Sequence, residues 1–240
     1  MRMRPLFVLT RVECALFLRE PAAVFFTIAM PLALLSLNGA TGNRQYIDAI
    51  IAGYLVYVLT TSGVMGLAET LADYRDKGIL RRMRVSPLRP WQILGSHALM
   101  NLLISVLGAA LLIAVASTFF GLSRPASIPL VLLVSAAAAC CILALGFLLG
   151  SVLPTVRMTQ AVAAALYFPS IFVSGVLLPR EALPEFARQI GDVIPVTYAV
   201  NGIRAAWAHG VLDGTALVVL LGTAVIGTVI ALRTFRWESR

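Results

Sequence analysis

Charge is what this sequence has least of. Only 12% of its 240 residues are Asp, Glu, Lys or Arg, about half the roughly 25% of an ordinary soluble domain. Hydrophobic residues reach 60%. A water-soluble core has no use for that much apolar surface, so the excess must face lipid. Histidine is limited to His97 and His209, and cysteine to Cys14, Cys140 and Cys141. The cysteines form no CxxC pair and have no histidine beside them, so they read as packing residues, with no metal centre or disulfide framework. No G-x-x-x-x-G-K-[ST] loop occurs, so ATP hydrolysis by this chain is not expected. Aromatic residues, at 8%, offer no stacked array for sugar rings, which disfavours polysaccharide as a substrate.

The charge that is present sits in short islands between long apolar runs. The net charge of +8 therefore argues for membrane orientation and against nucleic-acid binding. Crossing roughly 30 Å of hydrocarbon takes about 20 apolar residues. Six runs qualify: Pro21–Asn43, Ala49–Ala68, Ala98–Ser123, Pro125–Val156, Met158–Pro179 and Gly214–Leu232. Arg124 with Pro125, and Pro154 with Arg157, mark tight turns between consecutive runs. The segment ahead of the first run is long for a signal-peptide n-region, so that run is read as a span. With the N-terminus inside, the cytoplasmic segments hold fourteen Lys and Arg residues and the external ones five. This bias predicts an all-α integral membrane protein with both termini in the cytoplasm.

Three segments exceed what turns require. In residues 5–20, Val8, Val12, Ala15 and Leu16 recur at helical spacing, with Arg11, Glu13 and Glu20 elsewhere on the wheel. This predicts a helix lying on the inner membrane surface; a frayed terminus is the alternative. Residues 69–97 read as a cytoplasmic loop that interleaves Glu69, Asp73 and Asp76 with six basic residues, a mixture suited to meeting a partner. The alternative is that these charges serve orientation alone. Residues 180–213 read as an external loop with two amphipathic stripes, Leu183, Phe186, Ala187, Ile190 and Ile194, then Val196, Val200, Ile203 and Trp207. They predict two short helices capping the outer face; two ordinary interfacial helices with no mechanistic task are the alternative.

Within these boundaries no span interior carries Asp, Glu, Lys or Arg. That argues against proton coupling, and less strongly against sodium coupling. His97, at the inner edge of the third span, and His209, outside, cannot share a metal site or catalytic triad. Gly146 and Gly150 form a GxxxG, and Gly63 and Gly66 lie in the second span. Such spacing seats one helix on another, within the chain or across a dimer.

The cytoplasmic segment Asp73-Tyr74-Arg75-Asp76-Lys77-Gly78-Ile79-Leu80-Arg81-Arg82-Met83-Arg84-Val85-Ser86-Pro87-Leu88 resembles the E-R-E-x-G-T-L-R-R-L-R-x-T-P-L motif of ABC-2 type transporter permeases. Asp73 and Asp76 replace the usual Glu, Ile79 replaces Thr, and Ser86 replaces Thr. Phe168-Pro169, Phe172, Ser174-Gly175, Pro179, Leu183-Pro184, Ile194-Pro195 and Tyr198 resemble that family's FLSG…P…LP…P…Y signature. Leu18-Arg19-Glu20-Pro21 resembles its LRDP opening, and the Arg-rich form looks most like the daunorubicin-type drug-exporter branch.

The resemblance implies one ABC-2 membrane domain over residues 1–240 in a bacterial inner membrane. It implies two copies of a separate ABC ATPase, which would carry the ATP and Mg, and a second permease copy or homologue. No cofactor is expected in this chain. The N-terminal surface helix and residues 73–87 would both rest on the ATPase, the latter as a coupling helix. There Arg81, Arg82 and Arg84 would make charge contacts with the ATPase or contacts with the headgroups of membrane lipids, the other partner expected, Ile79, Leu80 and Met83 apolar ones, Gly78 the turn and Pro87 the end. The external residues Pro169, Ser174, Gly175, Pro179, Pro184, Pro195 and Tyr198 would belong to an outer gate. The expected cargo is hydrophobic or amphiphilic, a drug or lipid. A non-transporting membrane anchor and a secondary carrier are the competing functions; an adjacent reading frame encoding an ATPase separates the first from transport.

Overall fold

The computed structural model describes residues 4–40, 44–78 and 90–234. Among them it forms nine helices: α1 Arg4–Leu18, α2 Pro21–Gly39, α3 Arg44–Asp76, α4 Pro90–Phe119, α5 Ile128–Val152, α6 Val156–Val173, α7 Glu185–Gly191, α8 Pro195–His209 and α9 Gly214–Thr234. Six of these, α2 to α6 and α9, are long and apolar enough to cross a membrane, in the order the apolar runs predict. Local chemistry sets the boundaries. Pro21 and Pro195 open α2 and α8, where a missing N–H costs nothing. The Thr155 side chain caps α6 by accepting from Met158 N. Gly210, at φ +63°, closes α8 in a left-handed conformation.

Two boundaries depart from the sequence reading. The second span does not stop at Ala68. Its helix runs on through Glu69–Asp76, reaching 33 residues. Ala68, Glu69, Leu71 and Ala72 are good helix formers, and charge at a helix end does not break a helix. The chain turns only at Gly78, whose φ is +65°. The third helix starts early, at Pro90. Residues 69–97 are therefore largely two helix ends, and only 77–89 lie between α3 and α4. The longer helices carry ionisable groups at their ends, while the middle of α3 carries none.

α3 is the central element. In its spanning window 83% of residues are buried, against 17–44% in the others. α4, α5, α6 and α8 all pack on it. α5 meets it at its closest approach, because a Cβ at Gly146 would fall on the Gly63 carbonyl oxygen. A Cβ at Gly150 would lie 2.9 Å from Leu71. The GxxxG of α5 thus serves packing within the chain. Gly63 lies in a π-helical stretch, Thr61–Leu67, where the Thr60 and Thr61 hydroxyls bond back to the carbonyls of Val56 and Tyr57. Such wide turns often mark functional positions in helices.

The two outer helices behave differently from each other. On α8 the stripe Val196, Val200, Ile203 and Trp207 is fully packed, against α3, α5 and α9. It is a core element and does not rest over the outer face. On α7 only Ala187 of its stripe is buried, while Phe186 and Ile190 are exposed. α1 carries the expected apolar stripe outward at Val8, Val12 and Leu16. Glu13, which the wheel places off that stripe, turns inward toward α4. Periodicity identifies both faces of such a helix but not which one meets protein.

Candidate coupling site

At the end of the bundle where α1 lies, the last two turns of α3 meet α1, α4 and the turn between α5 and α6. Arg75 points inward and is 6% exposed. Its Nη1 donates to the carbonyls of Gly150 (3.2 Å) and Ser151 (3.5 Å), and its Nη2 donates to that of Leu153. These are terminal carbonyls of α5, which have no partners inside their own helix. Next to it, Asp76 Oδ2 accepts from the backbone N–H of Val156, the first residue of α6, at 3.2 Å. Two turns earlier, Glu69 accepts from Gln160 of α6. Ser151 Oγ lies 3.2 Å from Thr234 Oγ1, which brings in α9.

The opposite face of the same turns holds a second cluster. Tyr74 Oη donates to Glu13 Oε1 of α1 at 2.6 Å. The Tyr74 ring meets His97 of α4 edge-on, with centroids 5.0 Å apart. His97 is 1% exposed, and its Nε2 lies 3.6 Å from Glu13 Oε1. Asn101, one turn on, donates to the His97 carbonyl, and Ser105, a further turn on, lies 2.8 Å from Ser62 of α3. His97, Asn101 and Ser105 make a polar stripe on an otherwise apolar helix. Their i, i+4, i+8 spacing is visible in the sequence, and it is the signal that could have found them.

The family-motif residues divide between these surroundings. Asp73 and Lys77 form a surface i, i+4 pair of 2.7 Å. Gly78 closes α3, its N–H donating to the Arg75 carbonyl. Ile79, Leu80, Arg81, Arg82, Met83, Arg84, Ser86 and Pro87 lie outside the described residues. Arg75 and Asp76, read from sequence as ATPase contacts, are engaged with the chain's own helices. The sequence contains no sign of that, because the partners lie 75 or more residues away.

At the opposite end, Ser174 and Gly175 follow α6, with Gly175 at φ +78°. The Thr197 hydroxyl donates to the Gly191 carbonyl (2.6 Å) and lies 3.0 Å from Ser174 Oγ, which is fully buried. Tyr198 Oη donates to the Asp192 carbonyl (2.9 Å), and Arg180 pairs with the Asp192 carboxylate at 2.5 Å. Pro179 precedes a short 3-10 turn at Arg180–Ala182, Pro184 precedes α7, and Pro195 opens α8. Pro169 stands apart, exposed within α6.

Six membrane-length helices and a charged joint at one end define a multi-pass helical membrane protein. It belongs to the ABC-2 type transporter family, whose profile matches residues 4–207. The chain is 28% identical over 237 residues to the putative transport permease ycf38 of Porphyra purpurea, covering 90% of this chain and 79% of that protein. It is 24% identical over 145 residues to the probable multidrug ABC transporter permease YbhR of Escherichia coli strain K12, covering 60% of this chain and 39% of that one. Identity to the ABC transporter G family member 20 of Dictyostelium discoideum is 23% over 169 residues, or 70% of this chain and 23% of the relative. The chain thus spans less than half the length of two of these relatives.

Proposed function

We propose that this chain is the permease subunit of an ABC exporter, driven by a separate ATPase that grips residues 77–89. The observation that carries this reading is the continuity of α3. It is the most buried helix of the bundle, crosses it in one piece, and opens directly into the family-motif segment. A force that reaches the end of α3 at Asp76 is carried to the centre of the molecule by one continuous helix. In the assembly two ATPases bind ATP and Mg, and this chain pairs with a second copy or a homologue. Arg81, Arg82 and Arg84 make charge contacts with the ATPase, Ile79, Leu80 and Met83 apolar ones, and the surface pair Asp73 and Lys77 flanks them. This chain has no catalytic role of its own.

The packed residues around Ser174, Gly175, Thr197 and Tyr198 form the outer end of the pathway, and the transported molecule is hydrophobic or amphiphilic. The protein lies in a bacterial inner membrane with residues 77–89 in the cytoplasm. Replacing Arg81 and Arg82 together by Glu tests the reading. Co-purification of the ATPase with the tagged permease is expected to be lost. Full retention of the ATPase by the double variant would reject the assignment.

A further inference from the structure

Residues 77–89 are joined by the chain only to α3 and α4. Yet the last turn of α3 holds a different part of the molecule, the turn between α5 and α6. It holds both sides of that turn with charges matched to the helix ends. The cationic side chain of Arg75 sits on the terminal carbonyls of α5, where the helix dipole is negative. The anionic side chain of Asp76 sits on the first N–H of α6, where the dipole is positive. α6 already has its own cap in Thr155, so Asp76 is not needed to start that helix. Glu69 adds a third tie, to Gln160.

We infer that Arg75 and Asp76 form a transmission joint, through which displacement of residues 77–89 is delivered to the α5–α6 turn and draws the start of α6 with it. They are positioning residues and touch no substrate. This inference rests on the ATPase-driven reading above. It adds the route by which that drive leaves α3. Adjacent positions of a helix point about 100° apart, so one short segment reaches the end of α5 with one residue and the start of α6 with the next. Arg75 is suited to the task because its planar fork serves several carbonyls at once, which a lysine ammonium does less well.

The test uses the permease–ATPase complex reconstituted in lipid, with Cys14, Cys140 and Cys141 replaced by Ala. Single cysteines are placed at Lys77, the first residue of the segment, and at Met158, exposed at the start of α6. Maleimide labelling rates are compared between the nucleotide-free and the ATP–vanadate-trapped complex. Both sites are expected to change rate on trapping. In Arg75→Met, and separately in Asp76→Ala, Lys77→Cys keeps its response and Met158→Cys loses it, while ATPase retention and melting temperature stay near the parent values. Arg75→Lys restores part of the Met158→Cys response. Asp76 is exposed, so its alanine variant remains informative if Arg75→Met fails to fold.

An unchanged Met158→Cys response in both variants would overturn the joint and leave the ATPase-driven reading standing. The joint is overturned equally if Met158→Cys never responds in the parent while Lys77→Cys does. If Lys77→Cys itself ignores nucleotide in the parent complex, the ATPase-driven reading fails, and the joint fails with it.

Discussion

Gly78 is where the backbone itself must be a particular residue. Its φ of +65° lies in the left-handed region, and among the described residues no atom would touch a Cβ placed there. The cost of substitution is therefore conformational, about 1–2 kcal/mol for a side chain branched at Cβ, and small for Asn, which tolerates this region. Gly78→Val is expected to abolish the nucleotide response of a label at Lys77, and Gly78→Asn to keep most of it. Gly146 is the opposite case, since its surroundings forbid a side chain and its backbone does not. Gly146→Ala should destabilise the protein by about 1–3 kcal/mol, read as a lower melting temperature in detergent. Gly222→Ala, in α9 with nothing within 4 Å, should be neutral or slightly stabilising. The spacing of Gly146 and Gly150 is plain in the sequence. Their partners, Gly63 and Leu71, are not, because spacing says that two helices approach closely without saying which two.

Among the elements, α1 shows how far a helical pattern can be read. Its lipid-facing stripe follows from Val8, Val12 and Leu16. The inward turn of Glu13 does not, because a wheel cannot distinguish water from a half-buried tyrosine and a buried histidine. Glu13 is an acceptor for Tyr74 and a neighbour of His97, so it pins a surface helix to two spans. Glu13→Ala leaves the Tyr74 hydroxyl without its partner, at a cost of about 1–3 kcal/mol. Faster hydrogen exchange across residues 4–18 is expected, with α5 and α9 unaffected. Unchanged protection of α1 would show that its lipid-facing side alone holds it. The full length of α3 escapes the sequence for a related reason. Charge-free runs locate the hydrocarbon, but a helix has no need to end where the hydrocarbon does. Glu69–Asp76 carries the charges of a loop in the hydrogen-bonding pattern of a helix.

For the whole molecule, six spans in their correct order are legible from run length alone, and the family motifs are carried by residues spread along most of the chain. The packing of α8 is not, because its length and its stripe suit an interfacial helix as well as a core one, and only its neighbours decide. Orientation rests on the distribution of Lys and Arg. It predicts that Val193→Cys, the exposed residue after α7, reacts with a membrane-impermeant maleimide in intact cells. Lys77→Cys is expected to react only after permeabilisation, and the reverse pattern would place residues 77–89 beyond the reach of any cytoplasmic ATPase. The seam between Gly63 and Gly146 has a last consequence. Where two main chains touch directly, there are no side-chain rotamers to absorb sliding, so at the level of Gly63 and Gly146 α3 and α5 form a single keel. α2 and α6, the two spans with the smallest buried share, hang on that keel like shutters on a fixed frame.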